Sequence, residues 1–391
     1  CTLAQRGHEI YLEYTPEAIE RGLELSPRHL PLASETYGNF PAFQNRLPGL
    51  IADCLPDGWG LLLMDRFFKK FQGLDPYQIT AMDRLAFLGD RAMGALTFEP
   101  ASMSELEPFD IELLNLAQDV RDVVNDTHDQ ALQQLVLIGG SPQGARPKAL
   151  VQYDQNTGHI STHPSSFGTP WLVKFPAKHE PAEVCVLEYV YSEMARNCGI
   201  EMPATQYFLL PQGLAAFAIE RFDRHEGYRV PMHTLAGALH ADFRLPSVSY
   251  ATMLRMTRLM TRSEDEVLKA YRRCVFNVVF NNRDDHAKNF SYLLNSSGDW
   301  QLSPGYDLTY CEGLGGEHQM DIEGEGRAPN LKHLMSLSHT VGLNPKACKK
   351  IIEEVAEQGL QFHKIASQYP ITHETGQWVK KAIDTNLSRL H

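Results

Sequence analysis

Apolar positions come first as short runs and later at helical spacing. In the first hundred residues, the runs Ile10–Tyr14, Leu23–Leu25, Leu30–Leu32 and Gly94-Ala-Leu-Thr-Phe98 are broken by Pro and Gly. Among them, Gly58-Trp-Gly-Leu-Leu-Leu-Met-Asp-Arg-Phe-Phe68 places apolar residues at i, i+3 and i+4, which predicts a helix. Residues 101–125 are acidic and polar around a helix-like Ile111–Val124, and a new unit starts near Ala131. Alternation of period two then predicts strands at Ala149–Tyr153 and Trp171–Phe175. Val184–Cys198 reads as a helix, and Gln206–Leu210 with Leu214–Ile219 as a hairpin. After about residue 226 the pattern is helical at Tyr250–Met260, Ser263–Phe280, Leu331–Val341, Pro345–Gly359 and Glu374–Leu390. Ser263 followed by Glu264 and Glu266 suits an N-cap and the helix dipole. The expected organisation is α+β, with a small α/β module over 1–100, a sheet-rich lobe over 101–225 and an all-helical lobe over 226–391.

The chain has 391 residues, 43% apolar and 21% charged, which excludes a disordered chain and supplies more than one core. With 36 basic and 48 acidic side chains the net charge is −12, against a broad non-specific grip on nucleic acid but not against a local basic site. Seven scattered cysteines without a CxxC pair read as reduced cytoplasmic thiols, not a disulfide framework or zinc ribbon. The most apolar charge-free stretch, Met202–Ile219, contains Pro203, Pro211 and Gly213 and reads as two strands and a turn instead of a membrane span. No secretory signal is evident, so a cytoplasmic protein without membrane contact is expected. The chain begins at Cys1 in place of Met, so an upstream segment is expected.

The densest chemistry is Phe280-Asn-Asn-Arg-Asp-Asp-His-Ala-Lys-Asn-Phe290. Asp284 and Asn289 lie five positions apart, and Asp307 follows Asn289 by eighteen, after the strand-like Trp300–Leu302. Phosphoryl transfer from ATP needs a carboxylate to accept the hydroxyl proton, and an amide oxygen and second carboxylate to hold magnesium; this spacing meets that need. The bland alternative is a solvated, self-neutralising loop. Leu137-Ile-Gly-Gly-Ser-Pro-Gln-Gly-Ala-Arg-Pro-Lys-Ala149 could bring backbone amides to phosphates through Gly144 and Lys148, although it is not a Walker A loop and also reads as an ordinary Gly/Pro turn. Lys174 inside the apolar Trp171-Leu-Val-Lys-Phe175 needs a partner if buried, and Glu188 is the natural one. An edge-strand lysine facing water is the alternative. In a two-lobed kinase Ala218-Ile-Glu-Arg-Phe-Asp-Arg224 is where the backbone would meet adenine; taken alone it reads as a strand end with a salt-bridged tail. His233 and His240 lack zinc-site spacing, and Met253, Met256 and Met260 read as core.

Taken together, Gly144-Ala-Arg-Pro-Lys148, Trp171-Leu-Val-Lys174, Glu220-Arg-Phe-Asp-Arg224, Asn282-Arg-Asp-Asp-His-Ala-Lys-Asn289 and Tyr306-Asp307 resemble the HipA family of bacterial serine/threonine kinase toxins. Leu30-Pro-Leu32, Cys54-Leu-Pro-Asp-Gly58 and Gly89-Asp-Arg-Ala-Met-Gly-Ala-Leu96 resemble that family's amino-terminal module, so the resemblance spans nearly the whole chain. It implies a two-lobed protein-kinase-like fold that uses ATP and Mg2+. Asp284 would be the catalytic base, with His286 and Lys288 supporting the transferred phosphoryl. Asn289 and Asp307 would hold magnesium, and Lys174, paired with Glu188, would anchor the phosphates. The backbone of Glu220 and Phe222 would read adenine, and Ser141 would be an autophosphorylated off-switch. The implied partners are a protein substrate, such as an aminoacyl-tRNA synthetase or translation factor, and a helix-turn-helix antitoxin of HipB type. DNA would be reached only through the antitoxin or a missing amino-terminal segment. Asp285 is a departure, adding a second carboxylate where some relatives carry a small residue. It keeps a metal-dependent phosphodiesterase or nuclease, built on Asp284, Asp285, His286 and Asp307, as an alternative beside a non-catalytic antitoxin-docking scaffold.

Overall fold

Alternating strands and one continuously apolar strand, Leu214–Glu220, build an antiparallel sheet of five strands, ordered Ile160–Ser161, Lys148–Tyr153, Thr169–Lys174, Leu214–Glu220 and Thr205–Leu210. Trp171 and Val173 point inward, pairing with Val151 and Ala149 on one side and with Glu220 and Ala218 on the other. The expected strands and hairpin are present with their ends moved by a residue or two. The computed structural model describes residues 1–102, 111–125, 129–140, 142–162 and 168–390. By contact, these divide into a sheet unit of Asp53–Tyr189 with Pro203–Val230, and a helical unit of Cys1–Ala52, Val190–Met202 and Pro231–His391.

Helices Gly58–Phe67, Leu113–Val124 and Glu183–Asn197 match their apolar periods. Ala81–Leu88 was not foreseen; its start is fixed by a capping box in which Thr80 and Asp83 satisfy each other's backbone N–H groups. The apolar run 94–98 forms no strand.

In the helical unit the helix Glu264–Val279 is buried along most of its length and packs against Tyr250–Thr261, Pro345–Ala366 and His373–Leu387. Ser263 Oγ accepts from Glu266 N at 3.4 Å, the cap its sequence predicts. Met253, Met256 and Met260 are buried as core. The helix Pro345–Ala366 continues past Gly359, where the sequence suggested an end. A Cβ at Gly359 would lie 3.0 Å from Val279 Cγ1 and 3.2 Å from Leu387, so this glycine permits close helix packing instead of stopping the helix. The expected all-helical region also carries a three-stranded sheet of Met232–Thr234, Ser291–Leu294 and Trp300–Leu302.

The amino-terminal meander of Thr2–Arg6, Glu9–Glu13 and Thr36–Tyr37 belongs to this helical unit. Trp300 Nε1 donates to Glu24 O at 3.3 Å, Ser26 Oγ meets His233 Nε2 at 3.1 Å, and Gly49 N donates to His240 Nε2 at 3.0 Å. Such long-range bonds group residues 1–52 with the carboxy-terminal half, so the contact units cut the chain differently from three consecutive segments. The seven cysteines form no disulfide, and among the described residues no helix is long and apolar enough to cross a membrane.

Candidate active site

The helix Glu264–Val279 delivers a polar loop whose base is pinned before its chemistry begins. Asn281 turns the chain at φ 54° and exchanges bonds with the Cys311 backbone, donating from Nδ2 to Cys311 O and accepting Cys311 N–H, each at 3.1 Å. Asn282 Nδ2 donates to Asn277 Oδ1 at 2.9 Å. The two adjacent carboxylates then separate. Asp284 is solvent-exposed, with 51% of its side chain accessible, whereas the Asp285 side chain is fully buried. Asp285 Oδ1 accepts Gln319 N–H at 2.7 Å; its Oδ2 accepts Tyr250 O–H at 2.6 Å and faces His318 Nδ1 at 2.8 Å. Both Asp285 oxygens are engaged inside the protein, which removes it from the metal role that its position in the sequence suggested.

The outward residues surround Asp284. His286 Nε2 lies 3.8 Å from Asp284 Oδ1, and His286 Nδ1 accepts Lys288 N–H at 3.3 Å. Lys288 Nζ stands 4.1 Å from the Phe243 ring centroid, a cation–π contact that fixes where its charge sits. Asn289 Nδ2 donates to the Asp284 carbonyl at 2.7 Å, which leaves Oδ1 as the acceptor end of the amide. Tyr306 O–H donates to Lys288 O at 2.6 Å and brings the next residue, Asp307, to this loop; Asp307 is held at φ 55°, a conformation that costs a non-glycine residue energy. Ahead of it, buried Arg273 donates to Ser303 O, and burial holds its guanidinium down to about 10.

In the sheet unit, Lys174 Nζ contacts Glu188 Oε1 at 2.5 Å, with side chains only 9% and 4% exposed. Lys174 ends a central strand, so the edge-strand alternative fails. Arg146 Nη1 lies 3.8 Å from Glu188 Oε2 and also pairs with Glu180 at 2.9 Å. Burial first, and then the Glu188 charge, push the neighbouring Cys185 thiol up to about 12. The glycine loop docks on the start of the helix Gly58–Phe67: Gly144 N donates to Asp57 Oδ1, Trp59 N donates to Gly144 O at 3.0 Å, and Trp59 Nε1 donates to Lys148 O at 3.0 Å. Lys148 is buried, its ammonium donates to Gln143 O, and its backbone pairs in register with Lys174. Gly144 adopts φ 102°, so glycine is needed there. Ser141 lies outside the described residues.

At the strand end, Glu220 N–H donates to Ala204 O at 2.9 Å. Beyond Phe222, buried Asp223 takes Arg221 at 2.9 and 2.8 Å and Arg224 at 2.9 Å, and accepts Gly94 N–H at 2.8 Å. Burial alone would raise the Asp223 carboxyl; the two arginines outweigh it and set it below its ordinary value. The salt-bridged tail is therefore present, and it ties the Gly89–Leu96 segment to the end of this strand.

The structure thus brings Asp284, His286, Lys288, Asn289 and the Tyr306-Asp307 turn together within the helical unit, and Lys174, Glu188, Lys148 and Gly144 within the sheet unit. Sequence reasoning missed Tyr250, His318, Phe243 and Arg273, which act through the loop from distant positions with no local signature. Among the described residues no group of three His, Cys, Asp or Glu side chains could hold a metal ion. An amide oxygen of Asn289 and the carboxylate of Asp307 are hard oxygen donors, the kind of partial set that magnesium completes with phosphates.

A sequence model of the HipA-like C-terminal domain matches residues 140–361, and one of the HipA N-terminal domain matches residues 1–99. A search of curated proteins gave no match. Among solved structures, a chain of the Shewanella oneidensis MR-1 HipA, HipB and operator DNA complex superposes with TM-score 0.72 at 16% identity, over 99% of this chain and 93% of that one. The Helicobacter pylori proinflammatory kinase CtkA gives TM-score 0.43 at 16% identity, over 57% of this chain and 88% of that one.

Proposed function

The chain belongs to the HipA family, and on that premise we propose that it is an ATP- and magnesium-dependent protein serine/threonine kinase acting as a growth-inhibiting toxin. The observation that carries the reading is the buried Lys174–Glu188 pair. Holding two charges out of water is costly, and a nuclease built on the Asp284 loop has no use for them. A phosphate-binding lysine oriented by a helix glutamate does have a use.

In this reading the substrate hydroxyl oxygen attacks the γ-phosphorus of ATP, the bond to the β-phosphate oxygen breaks, ADP leaves, and Asp284 takes the hydroxyl proton. Its exposure leaves it accessible to a protein substrate. Lys174 holds the α- and β-phosphates, while Lys288 and His286 add positive charge or hydrogen bonds near the transferred group. Asn289 and Asp307 hold magnesium, which when bound neutralises phosphate charge. Gly144 and Lys148 shape the loop beside the phosphates, and the Glu220–Phe222 backbone meets adenine. Ser141 is the autophosphorylation site, where about two negative charges would repel ATP from that loop. The partners are a protein substrate, an aminoacyl-tRNA synthetase or translation factor, and a HipB-type antitoxin like that bound to the Shewanella relative. The antitoxin carries the DNA contact, in keeping with the net charge of −12.

Intact-mass spectrometry after incubation with Mg-ATP tests this. Phosphatase-treated wild type gains one phosphate, and Asp284→Asn and Ser141→Ala gain none. Wild type that stays unmodified across magnesium concentrations, and labels no protein in a proteome, overturns the reading.

A further inference from the structure

Immediately before Asp284, Arg283 forms one wall of an open groove of about 610 Å3 in the helical unit. The opposite wall is the helix His373–Leu387 and the residues just after it, which present Trp378, Lys381 and Arg389. The rim is Tyr310–Gly316. Arg283 holds this rim by donating from Nη1 to the carbonyls of Gly316 and Glu312, and from Nη2 to Arg327 O at 3.1 Å. Gly313 sits at φ 71°, and a Cβ there would lie 2.2 Å from Glu317 O and 2.8 Å from Arg283 Cβ, so the close seat of the rim on Arg283 depends on glycine.

Two features indicate what fits. Arg283, Lys381 and Arg389 face a single carboxylate, Glu312, in a molecule whose overall charge is −12. On the adjoining helix turn Lys380 is paired with Asp384, so that carboxylate is already matched by another lysine. Arg283 is pulled below its ordinary value by burial and then by the charge of Arg389, a repulsion that an anion would relieve. The groove also has an aromatic wall: Tyr310 and Trp378 lie 4.8 Å apart at 58°, and Trp378 is 51% exposed. Exposed tryptophan next to cations is a composition typical of protein-recognition anchors. Tilted rings offer no pair of parallel platforms for stacked bases, and an acidic molecule lacks the broad basic surface a long polyanion needs.

We propose that this groove docks an acidic segment of the protein substrate, seating its carboxylates on Lys381 and Arg389 and an apolar side chain on Trp378. The inference rests on the kinase reading for the identity of its occupant; Arg283, one wall of the groove, precedes Asp284 in the chain.

The test uses a fluorescein-labelled serine peptide rich in glutamate with one phenylalanine, a lysine-rich counterpart, and a single-stranded oligonucleotide as competitor. Binding is read by anisotropy without turnover, and phosphorylation is read separately. The glutamate peptide binds wild type; Lys381→Glu and Trp378→Ala each weaken it about tenfold, and raise its KM with kcat unchanged. Both residues are exposed, and autophosphorylation in these variants stays at the wild-type level. Equal binding by wild type and variants, preference for the lysine peptide, or displacement by the oligonucleotide at equal charge overturns the proposal. If wild type binds the peptide and the variants do not, yet ATP yields no phosphate on any target, the docking site stands and the kinase reading falls.

Discussion

Replacing Asp285 with asparagine separates a buried anchor from a metal ligand. Tyr250 O–H at 2.6 Å, His318 Nδ1 at 2.8 Å and Gln319 N–H at 2.7 Å all face its two oxygens. The Tyr250 oxygen already accepts from Asn277 Nδ2 at 2.9 Å, which commits the tyrosine proton to Asp285. Asparagine keeps one acceptor and turns a donor toward either the Gln319 N–H or the Tyr250 O–H. His318 can relieve part of this by changing tautomer, but the second donor–donor clash remains. Loss of one charge-assisted bond and an unmatched buried donor costs about 2–3 kcal/mol. For a unit of this size that is a fall in Tm of about 5–10 °C. Alanine, which strands every partner, costs about 3–5 kcal/mol.

Urea unfolding of Asp285→Asn, together with magnesium titration of ATP binding on folded protein, reads both roles at once. The unfolding midpoint falls while the magnesium concentration for half-maximal ATP binding stays within about twofold of wild type. Asp307→Asn gives the opposite pattern, a weakened magnesium response with smaller change in stability. An unchanged unfolding midpoint for Asp285→Asn, with a magnesium requirement raised tenfold or more, would show that Asp285 is a metal ligand. It would also restore the two-metal nuclease among the readings to be tested.

Other perturbations probe the sheet unit and the junction of residues 1–52. Lys174→Met lowers ATP affinity by about tenfold or more, measured with a fluorescent nucleotide, and Glu188→Gln lowers Tm as well because it leaves Lys174 a buried charge worth about 3–5 kcal/mol. Gly58 has φ 46°, and a Cβ there would lie 2.6 Å from Gly144 O and 2.8 Å from Ala145 Cα. Backbone must therefore move, and Gly58→Ala weakens nucleotide binding through the displaced loop at a cost of about 2 kcal/mol, seen as a Tm loss. Burial first, and then His29, His233 and Arg28, lower the His240 ring from 6.5 to about 3 while its Nε2 accepts Gly49 N–H. The unfolded chain then binds a proton below pH 6.5 that the folded chain takes only near 3. Its share of stability is complete above 6.5 and declines toward pH 3, by less than about 1.4 kcal/mol per unit because the ring is partly screened by solvent. Melts from pH 7.5 to 5 show this decline, and His240→Gln flattens it.

The sequence made legible whatever a local rule demands. A lysine inside an apolar strand had to find a partner, and Glu188 on the next helix was within reach. Alternation marked Lys148–Tyr153 and Thr169–Lys174, whereas Leu214–Glu220 showed itself as a continuous apolar run buried from Ala215 to Ile219. What stayed hidden depends on residues far apart in the chain: Arg273 beneath Ser303, Phe243 under Lys288, Asp57 against Gly144, and the bonds that group residues 1–52 with the carboxy-terminal half.

Asp285 is the instructive case, since its role was readable after all. An extended segment points successive side chains to opposite sides. Residues 284–286 form such a segment, which ends at the 3-10 turn Ala287–Asn289; Asp285 is buried on the side that the apolar, buried Ala287 also takes, while Asp284 and His286 lie outward. Treating Asp284 and Asp285 as a pair of equivalent carboxylates ignored the pleat. One of them is exposed and its neighbour buried because a single backbone step separates them, not because their chemistry differs. The polar run after this buried helix therefore divides into inward and outward side chains by local backbone geometry.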